Sequence, residues 1–272
     1  MKALQNHILI YDKDCPMCNL YSGGFIKCGM LDNKGREAFS EISSDTKNLL
    51  DFHRAKNEIA LVNTLQNKVI YGLDSLLTII GNSFPKLEKL ARIRPFYWFF
   101  QKLYQFVSYN RKQIIPSEKD DSENSCVPDF NLKYRLLYIA FVFVFSAIIL
   151  GFYNQRLFPV FKNNFRVEFF ICTMQIIWQS VFMGFYLKEK IWNYLGNMMT
   201  VSLLGTLLLV PVLFFHFSQI FYFAYFGIVV FIMFIEHLRR CRILKIGIIP
   251  TVSWMVFRIT FGGILLFIVS HY

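Results

Sequence analysis

The chain has 272 residues, of which 55% are hydrophobic, with 31 Phe against 18 Asp plus Glu. A soluble globular domain is about 45–50% apolar. The excess excludes a disordered chain, a collagen-like chain and a small disulfide scaffold, and nearly excludes a purely soluble protein. The formal charge of +11 is unevenly placed: residues 1–130 carry 17 Lys/Arg and 15 Asp/Glu, whereas residues 131–272 carry 12 and 3. A nucleic-acid binder gathers its basic residues on a polar surface. Here they stand between long apolar runs, which is the pattern of membrane topology, so no nucleic-acid partner is expected.

The first half reads as alternating strands and helices. His7-Ile-Leu-Ile-Tyr11 is a continuous apolar run, as in a strand buried on both faces. Pro16 suits the first turn of a helix that runs to about Met30. Residues 37–42 form a weaker strand, 44–53 a helix, 58–62 a third strand and 68–71 a fourth, after a turn at Gln66-Asn67. A helix then begins at Leu73 and is predicted to stop at Gly81. The order β-α-β-α-β-β-α predicts an α/β domain of thioredoxin-like type.

Residues 87–111 follow with eight aromatics between Phe96 and Tyr109, flanked by Arg92 and Arg94 and by Arg111 and Lys112. This mix suits a helix on a membrane surface and, equally, one that caps the domain. Residues 115–128 are polar and aperiodic, a linker in which Cys126 is expected to be exposed and incidental. The expected division is 1–113 as a soluble domain, 114–130 as linker and 131–272 as a membrane domain.

The chemical signal is Asp12-Lys13-Asp14-Cys15-Pro16-Met17-Cys18. Two residues between cysteines at a helix start place both thiols on one side of the first turn, where they can close a small disulfide ring. Cys15 would stand at the helix N-cap, where unpaired N–H groups and the positive end of the dipole favour a thiolate. Asp12 and Asp14 oppose that effect. A thiolate at Cys15 would attack a partner disulfide and Cys18 would resolve the mixed disulfide. The same spacing is half of a zinc site, which would need two more ligands from Cys28, His7, His53 or Cys126. A third reading is two cysteines merely packed at a helix start.

The segment from Tyr11 to Cys18 resembles the signature of the DCC family of thiol-disulfide oxidoreductase-like proteins, a strand ending in Asp followed by Asp-Cys-x-x-Cys. Tyr71-Gly72-Leu73-Asp74-Ser75-Leu76 resembles the family's Gly-x-Asp/Glu-Ala stretch, and Leu103 to Arg111 its closing Tyr…Asn-Arg segment. The resemblance covers about residues 5–113. It implies a thioredoxin-like fold and dithiol–disulfide activity, with Asp12, Asp14, Cys15 and Cys18 as the positions that carry over. One departure from thioredoxins is that no Pro lies between Pro16 and Pro85, where those proteins have a cis-Pro facing the active site.

The second half holds five apolar segments, 136–153, 169–187, 198–217, 220–235 and 246–270. About 20 apolar residues cross a ~30 Å hydrocarbon core. Placing the N-terminus inside puts ten Lys/Arg of the flanks and short loops in the cytoplasm and three outside. Residues 1–6 carry one Lys and residues 7–11 are too short for a signal core, so the first half is expected to stay in a reducing compartment. Arg258 falls within the fifth segment; a break at Pro250 would bring it near an interface. Gln175 and Gln179, one turn apart, suit either a polar path or helix–helix glue.

The combined expectation is a thiol–disulfide oxidoreductase domain on the cytoplasmic side of a bacterial inner membrane. Its partners would be a thiol or disulfide of a protein or small molecule, and the lipid bilayer. Neither a metal nor a cofactor is required. The rivals are a transporter or channel whose soluble domain is a redox sensor or scaffold, and a lipid-modifying membrane enzyme.

Overall fold

The computed structural model describes residues 2–117, 126–158 and 165–270. The chain divides into two compact units, Met1–Tyr134 and Arg135–Tyr272. The first contains β1 (His7–Tyr11), α1 (Pro16–Lys27), β2 (Arg36–Ala38), α2 (Ser44–Leu49), α3 (Phe52–Asn57), β3 (Ala60–Asn63), β4 (Lys68–Tyr71), α4 (Leu73–Ser83), α5 (Pro85–Ala91) and α6 (Arg94–Ile114).

The sheet has the order β2-β1-β3-β4. β1 runs parallel to β2, with Leu9 opposite Arg36, and antiparallel to β3, with Leu9 opposite Leu61. β3 and β4 are antiparallel. The unbroken apolar run of β1 follows from this central place. Leu9 packs with Leu31, Ile59, Leu61 and Ile79 on one face, and Ile10 with Phe39, Leu50, Ala60 and Val62 on the other.

The single helix expected over 87–111 is divided into α5 and α6 by an extended Ile93. Three other elements differ from the sequence expectation, each for a packing reason. The strand predicted over 37–42 ends at Ala38 and becomes a 3₁₀ turn at Phe39–Glu41. That turn buries Phe39, which meets the Phe52 ring edge-on at 5.8 Å. The helix predicted over 44–53 is two helices: Leu50 is extended and buried, and the Asp51 carboxylate caps α3 by accepting from the Arg54 N–H at 3.0 Å. α4 passes through Gly81 to Ser83. Gly81 leaves space there, because a Cβ on it would lie 2.9 Å from the Glu88 Cβ, which cannot swing away as the carboxylate can.

α6 docks by one face. The Tyr104 hydroxyl accepts from the Ile59 N–H at 2.8 Å, and Ser108 and Arg111 donate to the carbonyls of Asn57 (2.6 Å) and Lys56 (3.0 Å). These three residues fall on one stripe of the helix. The other face leaves Phe96, Trp98, Phe99, Phe100 and Leu103 exposed, Trp98 by 61%.

The helical half runs as α7 (Leu132–Leu157), α8 (Phe165–Leu187), α9 (Ile191–Leu213), α10 (Gln219–Ile243) and α11 (Ile249–Ser270). Three stretches have the length and apolar composition to cross a membrane: Leu132–Leu157, Phe165–Leu213 and Gln219–Ile243. The second holds both α8 and α9, joined by a 3₁₀ turn at Lys188–Lys190. The expected break at Pro250 is absent. Pro250 occupies the first turn of α11, where its missing N–H leaves no bond unmade. Arg258 is therefore nine residues inside a continuous helix.

Candidate functional site

The turn between β1 and α1 is built by short polar bonds. The Asp14 N–H donates to one Asp12 carboxylate oxygen at 3.0 Å, and the Cys15 N–H to the Asp12 carbonyl at 3.2 Å. The Asn19 amide donates to the Lys13 carbonyl at 2.6 Å. Cys15 is the N-cap of α1, with extended backbone (φ −93°, ψ 111°), and Pro16 opens the helix. Its carbonyl accepts the N–H of Asn19 at 3.0 Å. Cys15 and Cys18 face one another as free thiols.

This geometry divides the two sulfurs. The Cys15 thiol is lowered to about 6, first by a hydrogen bond from the Cys18 side chain. Burial opposes that shift, while the Cys18 backbone N–H and the charge of Arg111 assist it and Asp12 resists it. Cys18 is pushed strongly upward by its bond to Cys15 and by burial. Cys15 is thus the sulfur prepared as a thiolate, and Cys18 holds the proton. Cys15 is 0% exposed in this conformation.

Asp12 is buried, and one of its carboxylate oxygens has no hydrogen-bond partner among the described residues. Burial raises its pKa, against the charges of Lys112 and Arg111. Asp14 makes the turn through its backbone, and Lys13 is paired at the surface with Glu41.

Three residues that sequence reading did not place in the site complete it. Arg111 is buried and donates to the Lys56 carbonyl at 3.0 Å and to the Cys126 carbonyl at 2.5 Å. Burial works against its charge, but the neighbouring sulfurs of Cys126, Cys18 and Cys15 and the Tyr21 oxygen hold the proton on. Tyr21, one turn after Cys18, hydrogen-bonds the Cys18 sulfur. Cys126 is not exposed: it is 6% accessible and packs against Ile10, Ala55 and Val62. Its polar neighbours in sequence hid this, because the Arg111 and Ala55 contacts that seat it are long-range. A signal for Arg111 was present, since it closes the Tyr…Asn-Arg segment.

The further zinc ligands do not gather. The His7 ring contacts the Gln5 carbonyl at 2.7 Å, His53 pairs with Asp129 at 3.3 Å, and Cys28 is exposed. Among the described residues no group of three or more His, Cys, Asp or Glu is arranged to hold a metal ion.

Residues 9–116 match the model of the DCC1-like thiol-disulfide oxidoreductase family. The match takes in β1 from Leu9, strands β2 to β4, the Cys15–Cys18 turn and Arg111, and leaves the helical half outside it. No curated protein matches the chain, and no solved structure does.

Proposed function

We propose that the N-terminal half performs thiol–disulfide exchange through Cys15 and Cys18, on the cytoplasmic side of a membrane crossed by α7 to α11. The observation that carries this reading is the pair of free thiols facing one another at the N-cap and first turn of α1, with Cys18 and the charge of Arg111 favouring the thiolate at Cys15. The β2-β1-β3-β4 order, with a parallel and two antiparallel pairings, supports a thioredoxin-like fold beneath it. The family match supports the redox role.

The Cys15 thiolate attacks one sulfur of a partner disulfide, forming a mixed disulfide and releasing the partner's other sulfur as a thiolate. Cys18 loses its proton and attacks the Cys15 sulfur. The Cys15–Cys18 disulfide forms and the partner leaves as a dithiol, having gained the two electrons that the cysteine pair has lost. Run backwards, the same steps oxidise a partner. Burial of Cys15 requires that its cover open first, and the exposed Cys28 is an internal reference for that step. Anchoring in the bilayer would raise the effective concentration of the dithiol toward membrane-bound partners. The exposed aromatics of α6, beside Arg94 and Lys102, suit a helix lying at the lipid interface.

The test is equilibration of the full-length protein in glutathione buffers of graded potential, with alkylation and mass analysis of each cysteine. A reversible two-electron couple, lost in both Cys15→Ser and Cys18→Ser, is expected. A pair that never forms the disulfide, with a Cys15 pKa at or above ~8.5, would sink the reading. It would favour a scaffold or sensor role instead.

A further inference from the structure

The helical half contains a buried polar cluster that thiol exchange does not use. Gln179 on α8 is 0% exposed, and its carbonyl oxygen accepts from the Tyr194 hydroxyl of α9 at 2.9 Å. That hydroxyl lies 3.4 Å from the His237 ring of α10. The other His237 nitrogen contacts the Thr251 hydroxyl of α11 at 2.9 Å. The His237 ring stacks on Trp254 at 5.3 Å, and the Arg258 guanidinium sits 4.3 Å over the Trp254 ring. Trp178, the neighbour of Gln179, donates to Ser253, the neighbour of Trp254, at 3.1 Å. Gln179 and Trp254 are thereby held at one level of the α8–α11 contact.

What remains unsatisfied is all of one kind. Gln175 Nε2, Gln179 Nε2, Trp254 Nε1 and Arg258 Nε are buried N–H donors with no hydrogen-bond partner among the described residues. A buried donor left unmade is expensive, and a cation deep in an apolar helix bundle more so. Among the described residues the half has three side-chain carboxylates, and none is bonded to Arg258. Glu236 binds Arg239 and Arg240, Glu168 accepts from Asn154 at 2.5 Å, and Glu189 lies in the turn after α8.

We propose that the helical half binds the carboxylate of a long-chain acid between α8 and α11, with Arg258, Trp254, Gln175 and Gln179 as donors. One cation matches one monoanion, whereas a phosphate dianion would leave a net charge in apolar surroundings. A carboxylate has two oxygens and about four lone-pair sites and no donor of its own, which suits four unmet N–H groups. The site is ~14 Å along α11 from Ile249, so the ligand must be carried on an apolar chain. Gly262, one turn beyond Arg258 on the same face, and Gly263 have nothing within 4 Å of a Cβ position, which leaves room for such a chain.

The full-length protein in neutral phosphatidylcholine nanodiscs would be titrated with radiolabelled oleate, methyl oleate, lysophosphatidate and a long-chain quinone. Oleate is expected to bind saturably at one per chain, and methyl oleate not to compete. Arg258→Met should weaken oleate by about tenfold or more, the scale of one lost charge-assisted hydrogen bond. Gln179→Glu supplies the missing carboxylate from within. It is expected to abolish oleate binding while raising the melting temperature, whereas a glutamine with a purely structural role would lose stability on that change. Equal binding of oleate and its methyl ester would overturn the proposal, as would tighter binding of lysophosphatidate or the quinone, or full binding by a folded Gln179→Glu protein. Unchanged alkylation of Cys15 in the variants serves as the control that the rest of the chain is intact.

Discussion

Two buried polar clusters, one in each half, handle charge in opposite ways. Around Arg111 every close partner is an acceptor or a group that can lose a proton: the carbonyls of Lys56 and Cys126, the sulfurs of Cys15, Cys18 and Cys126, and Asp12 nearby. That cluster can set its own net charge by moving protons. Around Arg258 the identified neighbours are the Trp254 ring and the Cys172 thiol, with no carboxylate, while Gln175 and Gln179 on α8 hold further unmet donors. The first cluster also leaves Arg111 Nε and one Asp12 oxygen without a hydrogen-bond partner among the described residues, but it holds its own acid and thiol groups, so its protons are the variable. The second is complete only with something from outside. A buried cation therefore marks different chemistry according to what surrounds it: a tuned thiolate in one case, a ligand in the other.

The largest effects are expected at the thiols. Cys15→Ser should reduce exchange to background, and Cys18→Ser should trap the mixed disulfide, seen as a mass adduct on Cys15. In wild type the rate should be nearly flat above pH 7 and fall about tenfold per pH unit below the Cys15 pKa of about 6. A profile centred near 8.5, the ordinary thiol value, would show that the first cluster is not tuned. Reduced protein should also gain stability between the two values as pH rises, because the thiolate is favoured only in the folded state, and lose it again as pH falls through about 6.

The next contrast is between the arginines. Arg111→Met removes the cation that faces three sulfurs and should destabilise the fold by about 3–5 kcal/mol, the cost of stranding a buried partner. It should also raise the Cys15 pKa, read by the pH dependence of alkylation. Arg258→Met in ligand-free protein removes a charge with no counter-ion and is expected to leave the melting temperature unchanged or higher. Equal losses from the two substitutions would erase the distinction between the clusters.

Much of the first cluster was legible because its signals are local. The apolar run of β1, Pro16 at a helix start and the Cys15/Cys18 spacing each lie within one element, and the fourth strand was placed at its observed bounds over Lys68–Tyr71. Packing decided the rest. Gly81 reads as a helix stop but is a gap for Glu88, and Cys126 sits among polar residues yet closes a core that begins at Ile10. Pro250 reads as a break within an apolar segment because periodicity cannot tell a first turn from an interior one. The second cluster was visible only as separate polar residues. Gln175, Gln179 and Arg258 stand out singly, but Tyr194, Trp254 and Thr251, which join them through His237, look like ordinary span residues until four helices bring them together.

The smallest expected effect tests the first cluster from its acidic side. Burial raises the Asp12 pKa, so the folded state resists its ionisation and loses stability as pH rises through the folded value. Asp12→Asn keeps the shape and the turn to the Asp14 N–H but removes the charge. The variant should be more stable than wild type by about 1 kcal/mol at pH 7, and the gain should vanish in acid, where wild-type Asp12 is already protonated. Since Asp12 also resists the Cys15 thiolate, the same variant should move the Cys15 pKa further down. Alkylation rates and thermal melts across pH read the two effects separately. A gain in stability with no movement of the Cys15 titration would place Asp12 beside the thiol pair but outside its electrostatics, and the first cluster would then be set by Arg111 and Cys18 alone.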